Sequence, residues 1–371
     1  MTIKAATVGK ALRAAEGRIA LLERCQPLNF RVEVQRLRHA WRSGQASEPQ
    51  FRYRSSANLS ATRTQLAQLA PFDDGGPWGR VIAARAAEMD LEAQLVEAVG
   101  CPQFAGLARR RYLDDSGRWA AQAQSLVTRW LSEVSAAKPS EPLWRTDDKR
   151  NEQSLWCQLE RLIAELKLPI RLELGANLVP VAATGDGVVL VAMDRQLSAA
   201  EGRRVALHEV VGHALPRMNA KRDPTGLLQV GTASASDDEE GRALLIEEQH
   251  GLLGSERRVA LSFRHLAANA MFNGAHFADV VRSLTEQGCE LDSAVSTAAR
   301  IFRAGGLGRE IVYLPAMLRV AACFEANPEA ARRMEQGRIA ANWISELENE
   351  PTPPEWLPDR SRYSNVAMTG Q

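Results

Sequence analysis

The chain has 371 residues, 45% of them hydrophobic, and 46 Lys and Arg stand against 45 Asp and Glu for a formal net charge of +1. That balance offers a polyanion nothing to grip, so charge-driven nucleic-acid binding is excluded, and the absence of any run of about 18 apolar residues excludes a membrane-spanning helix. The five cysteines, Cys25, Cys101, Cys157, Cys289 and Cys323, form no C-x-x-C pair, and the charged opening Met1-Thr2-Ile3-Lys4 lacks a signal-peptide core; both read as a soluble cytoplasmic protein with reduced thiols.

In chain order, residues 4–24 and 30–43 carry apolar positions at helical spacing, split by Gln26-Pro27-Leu28-Asn29. Glu48-Pro49-Gln50-Phe51-Arg52-Tyr53 reads as extended, because proline disfavours helix at the residue before it. Stretches 60–70, 78–99 and 116–137, rich in Ala, Leu, Arg and Glu, predict further helices, and Lys138-Pro139-Ser140-Glu141-Pro142 reads as a connection. After a helix over 151–166, Ile170–Leu174 alternates like a strand and Gly187–Ala192 is a short apolar β run. Ser198 and Glu201 make an S-x-x-E capping box that starts the next helix. The polar stretch 219–240, with its Asp237-Asp238-Glu239-Glu240 run, reads as a loop around a short element. Helices follow over 241–253, 256–272, 276–287, 291–303 and 309–326, the last two separated by Gly305-Gly306-Leu307-Gly308, and Pro351–Gln371 reads as a tail.

The helix started by Ser198 carries His208-Glu209-Val210-Val211-Gly212-His213, two of the six histidines in the chain. Neutral imidazoles are preferred zinc ligands, and a neighbouring carboxylate can take a proton from an activated water. The spacing is one residue longer than in the common H-E-x-x-H pattern. In a regular α-helix the side chain five positions on is rotated by about 140°, which splays the rings apart, whereas i→i+5 bonding reduces the rotation to roughly 50°. A π-bulge is therefore predicted here, with Gly212 as the residue best able to tolerate it. A catalytic zinc normally takes three protein ligands. Candidates for the third lie in Ile246-Glu247-Glu248-Gln249-His250-Gly251-Leu252, with His250 favoured by its chemistry and Glu247 as the alternative on the same helix face.

These residues resemble a known family. H-E-x-x-x-H followed by Gln249-His250-Gly251-Leu252-Leu253 is similar to the bacterial "QEGLA motif" metallopeptidases, relatives of the microtubule-associated tyrosine carboxypeptidase. Pro27-Leu28-Asn29 with Pro49-Gln50-Phe51-Arg52-Tyr53, and Arg300-Ile301-Phe302-Arg303-Ala304-Gly305 with Arg309-Glu310-Ile311-Val312-Tyr313-Leu314, resemble two further segments of that family in the same order. The resemblance implies an α+β, mainly α fold with a zincin-like core, a small sheet beside the histidine helix and an N-terminal helical region. It also implies one Zn2+ per chain and removal of a C-terminal Tyr or Phe from a peptide or protein, with His250 standing where the family has a glutamate ligand. On this reading residues 1–145 pack on a catalytic domain, 146–347, and 348–371 form a tail.

The chemistry assigns roles to the remaining candidates. Glu209 is the general base, and Tyr313 is a candidate oxyanion donor. Arg300, Arg303 and Arg309 are candidates for holding the substrate carboxylate, because a guanidinium fork matches a carboxylate through two hydrogen bonds. Two other readings compete. A di-iron carboxylate protein would use Glu247-x-x-His250 but needs a second such pair, which the sequence lacks. A metal-stabilised regulatory protein would keep the metal and lose turnover.

Overall fold

A computed structural model describes residues 2–55, 57–69, 71, 75–113, 117–133, 141–176 and 178–350. The tail 351–371 and most of the connection at 138–142 lie outside the described residues. The fold is mainly helical, with two small sheets, and no described helix is long and apolar enough to cross a membrane. The chain forms two compact units. One comprises residues 1–10, 135–254 and 319–371, and the other comprises 11–134 and 255–318. The sequence reading drew its main boundary at 145/146; the second unit gathers segments from both sides of it.

In the first unit, β1 (Leu143–Arg145) pairs antiparallel with β5 (Gln196–Ser198). A separate three-stranded sheet has the order β2-β4-β3: β2 (Arg171–Gly175) runs parallel to β4 (Val188–Ala192), and β3 (Ala182–Thr184) runs antiparallel to it. The apolar run expected as a strand is the central one, β4, with Val189 and Val191 fully buried. They pack into a core with Leu155, Leu159, Leu162 and Ile163, whose spacing makes one stripe of the helix Leu155–Glu165. Ser154 caps that helix by accepting from the Cys157 N–H.

The predicted capping box is present: the Ser198 hydroxyl accepts from the Glu201 N–H at 3.2 Å while Glu201 accepts from the Ser198 N–H. It starts the helix Ala199–Leu207, which continues without a break into a π-helical segment, His208–Ala214, and then the helix Leu215–Ala220.

The segment 219–240 departs from expectation. The acidic run lies not in a loop but in the first half of a helix, Ala235–Gln249, that is buried on nearly every side. Hydrophobic periodicity cannot reveal such a helix, because no face is left to water and the charges inside it read as solvated. Two of the buried carboxylates are met instead by partners distant in sequence. Asp238 accepts from Arg319 at 3.0 Å and from the Ala341 N–H at 2.7 Å, and Glu239 accepts from Arg338 at 3.0 Å and Arg217 at 3.2 Å.

The second unit is helical, with its main helices at Phe30–Arg42, Pro77–Glu97, Arg118–Ser132, Ser255–Phe272, Phe277–Glu286 and Leu291–Ile301. Two of the weak sequence motifs meet here: the Ala304 N–H donates to the Tyr53 hydroxyl at 2.7 Å. Ala304 is in the left-handed region at φ 59°, a costly conformation for a residue with a Cβ, and the Gly100 N–H holds its carbonyl at 2.9 Å.

His265, 3% exposed, lies in this unit with no hydrogen-bond partner at Nδ1. Burial disfavours its charged ring and holds its pKa down from the usual 6.5 to about 4, against a backbone hydrogen bond with Ile311 that acts the other way. Between those two pH values the unfolded chain takes up a proton that the folded chain refuses, so stability falls as pH drops from 6.5 to about 4. The expected loss is about 3 kcal/mol in total. Denaturant midpoints measured across this range should slope for the wild type and flatten for His265→Met.

Candidate metal centre

The π-helical segment is where the sequence places it, and its hydrogen bonds show what sustains it. The Leu215 N–H reaches back five residues to the Val210 carbonyl. Pro216 then has no N–H to offer, so the carbonyls of Val211 and Gly212, five and four residues earlier, lose an intrahelical donor. Arg242, only 3% exposed, supplies the missing donor from the neighbouring helix, with one guanidinium nitrogen at 2.7 Å from the Val211 oxygen and 2.5 Å from the Gly212 oxygen.

Gly212 lies in the π turn and has a use beyond the one predicted. A Cβ built on it would come within 2.7 Å of the Ala243 Cβ. The missing side chain thus lets the Ala235–Gln249 helix approach the π turn at backbone distance. Gly212→Ala is expected to cost about 1–3 kcal/mol of stability through overpacking and to weaken metal binding. Ala243→Gly in the same chain should recover part of both, as read by thermal unfolding and metal titration.

The wide turn brings the two rings together. The His208 and His213 centroids are 4.9 Å apart and their Nε2 atoms 3.2 Å apart. The third group is Glu240, whose Oε2 lies 3.5 Å from His208 Nε2 and 3.8 Å from His213 Nε2. Among the described residues these three are the His, Cys, Asp and Glu side chains that converge as a metal site. Tetrahedral ligands with bonds of about 2.0–2.1 Å sit roughly 3.3 Å from one another, so the triangle fits an ion of that class with little adjustment.

His250, the expected third ligand, is not part of this cluster. It stands ten residues beyond Glu240, at the end of the same helix, which places it roughly 15 Å further along the axis; its Nδ1 bonds the Ile246 carbonyl at 2.8 Å. The Q-E-G-x-A letters fit better ten residues earlier, where Glu239-Glu240-Gly241-Arg242-Ala243 keeps the glutamate, the glycine and the alanine. Glu247, the alternative, lies two turns after Glu240 on the same face and serves the site from behind. His208 Nδ1–H donates to its Oε1 at 2.7 Å, and Arg204 reaches that oxygen at 3.3 Å. A donor hydrogen at Nδ1 fixes the tautomer that leaves the Nε2 lone pair facing the centre. The His213 ring is held less firmly: its Nδ1 has no hydrogen-bond partner, with Glu239 Oε2 at 4.0 Å.

The electrostatics favour a cation at this spot. Burial lowers the His208 pKa, but hydrogen bonds to Glu240 and Glu247 outweigh it and raise it to about 9. At His213 burial prevails and the pKa is lowered. Glu239 would be raised by burial, yet Arg338 and Arg217 hold it down to about 2, so it stays charged beside the site.

Glu209, next to His208, is 8% exposed. Thr184 of the edge strand β3 donates its hydroxyl to Glu209 Oε2 at 2.7 Å, with the Glu209 carbonyl oxygen sharing that proton at 3.0 Å. Arg217 holds the strand in turn by donating to the Thr184 carbonyl at 3.0 Å. Sequence reading missed Glu240, Thr184 and Arg217. Only Glu240 left a signal, in the Glu-Gly-x-Ala letters of Glu240-Gly241-Arg242-Ala243.

The other predicted residues belong to the second unit. Arg300 Nε and an Arg303 terminal nitrogen lie 2.5 and 3.2 Å from the same oxygen of buried Glu310. Arg309 is part of the short 3-10 turn Arg309–Val312, and Tyr313, 9% exposed, begins the helix Tyr313–Ala326.

A His-His-Glu cluster that could hold a metal, with a further carboxylate on the same helical turn, is the arrangement of a metallopeptidase-type hydrolase. The chain belongs to the microtubule-associated tyrosine carboxypeptidase family, which it matches over residues 40–363. None of the curated proteins matches it.

Proposed function

We propose that this protein is a zinc-dependent carboxypeptidase that removes an aromatic C-terminal residue, Tyr or Phe, from a peptide or protein. The observation that carries the reading is the convergence of His208, His213 and Glu240 beside Glu209, in a chain whose family is described as a tyrosine carboxypeptidase. Two imidazoles, one carboxylate and a compact triangle suit Zn2+. The three-stranded sheet with β3 at its edge, beside the histidine helix, supports a zincin-like core within a catalytic domain.

When bound, the ion supplies Lewis-acid activation of the scissile carbonyl and of a water. The chain's own groups do the rest. Thr184 occupies Glu209 Oε2, so Oε1 is the oxygen left to take a proton from the attacking water and pass it to the leaving amine. Glu247 and Arg204 keep the His208 ring in register. Arg300, Arg303 and Arg309 are the proposed holders of the substrate carboxylate, and Tyr313 the proposed oxyanion donor.

The test is mass spectrometry of a peptide library with varied final residues after incubation with the zinc-loaded protein. Loss of one C-terminal aromatic residue is expected. Internal cleavage, or no cleavage with zinc bound, would overturn the proposal; the second outcome would favour a regulatory metalloprotein.

A further inference from the structure

The geometry points to Arg217 as a positioning residue of the proposed reaction, one that fixes the strand from which Thr184 orients Glu209. This rests on the carboxypeptidase reading. Every group involved belongs to the first unit.

Thr184 ends the three-residue strand β3, which among the described strands pairs with β4 alone. Gly185-Asp186-Gly187 follows at once, with Gly187 in the left-handed region at φ 73°. A base has to be held to within about 0.5 Å of its working position, and a strand this short, ending in a glycine-rich loop, is poorly suited to do so unaided. The Gly185 N–H donates to the Val188 carbonyl at 2.8 Å, so by the antiparallel alternation Thr184 turns its own carbonyl away from β4.

Arg217 takes up that carbonyl. It lies on the helix Leu215–Ala220, directly after the π segment. One terminal nitrogen donates to the Thr184 carbonyl at 3.0 Å and the other to Glu239 Oε2 at 3.2 Å. Glu239 is anchored in turn through its second oxygen by Arg338 at 3.0 Å. The fork thus ties the outer edge of β3 to a carboxylate that is itself fixed, and the Thr184 hydroxyl passes the position on to Glu209 Oε2 across 2.7 Å. A planar guanidinium can aim at two acceptors at once, whereas an ammonium is a point charge on a flexible stem. Lys221, four residues on, reaches the same loop through Asp186 at 2.7 Å, but the two side chains are 38% and 85% exposed. A pair so open to water contributes little, which makes it the control.

Full-length, zinc-loaded wild type, Arg217→Met, Arg217→Lys, Thr184→Val, the double variant Arg217→Met/Thr184→Val and Lys221→Met would be compared for zinc content, thermal unfolding, and kcat and KM on a peptide ending in free Tyr. Arg217→Met is expected to lower kcat by up to about 100-fold, as misplacing a reacting group by about 1 Å does, with KM close to wild type and zinc retained. Arg217→Lys should regain much of the thermal stability, because the charge facing Glu239 is kept, and little of the kcat, because the second direction of the fork is lost. Thr184→Val should lower kcat to a similar degree. The double variant should fall no further than Thr184→Val alone, since both changes act along one path. Lys221→Met should match wild type.

The inference is overturned if Arg217→Met lowers only the melting temperature, if its effect on kcat adds in full to that of Thr184→Val, or if Lys221→Met costs as much. Should Arg217→Met fail to fold, the same cycle run with Arg217→Lys decides the question. A wild type that holds zinc and cleaves no peptide overturns the proposed function and this inference with it; a wild type that cleaves while the two effects add overturns this inference alone.

Discussion

Glu209→Gln is expected to lower peptide cleavage by about 10²–10⁴-fold, the usual contribution of a positioned general base. The amide keeps the shape of the carboxylate but has no basic oxygen, and Thr184 can still donate to it. Because Glu209 is not one of the three converging ligand groups, zinc content measured by elemental analysis should match wild type. Loss of zinc together with activity would place Glu209 among the ligands and sink its assignment as base.

Glu240→Ala is expected to have the other large effect, and on a different observable. It deletes one of the three groups whose atoms lie 3.2 to 3.8 Å apart. Removing even an outer hydrogen-bond partner of a ligand typically costs about 10–100-fold in metal affinity, so losing a direct ligand should exceed that and abolish activity at ordinary zinc concentrations. His250→Ala is the matched control. Its ring bonds the Ile246 carbonyl at the end of the helix, so competitive chelator titration should leave its zinc affinity near wild type. The reverse outcome, zinc retained in Glu240→Ala and lost in His250→Ala, would return the third position to the histidine.

The histidine pair shows how far a local pattern reaches. The five-residue separation of His208 and His213 was enough to predict the π turn, because the angle between the rings is that separation multiplied by the rotation per residue, and only the wider turn brings them together. Ser198 and Glu201 were equally legible, since a capping box is a contact three residues long. Pro216 carried a readable signal that went unused: a proline just after the turn removes the donor its last carbonyls need. The Asp237–Glu240 run misled for a tertiary reason. Its burial depends on Arg217, Arg319 and Arg338, which approach from as far as about one hundred residues away, and no local pattern announces such partners. Glu240 was lost with it. Strands β1, β3 and β5, three residues each, are too short for alternation to show, and Thr184 was hidden in one of them.

The Arg242 guanidinium across the carbonyls of Val211 and Gly212 makes chelation conditional on assembly. Cut free of the Ala235–Gln249 helix, the stretch from Ala199 to Ala220 would have no external donor to keep its wide turn open. Relaxation to ordinary α geometry would then point its two imidazoles about 140° apart. A nascent or excised fragment ending before Arg242 should therefore be a poor zinc scavenger, and capture of the ion should coincide with the docking of one helix on the other.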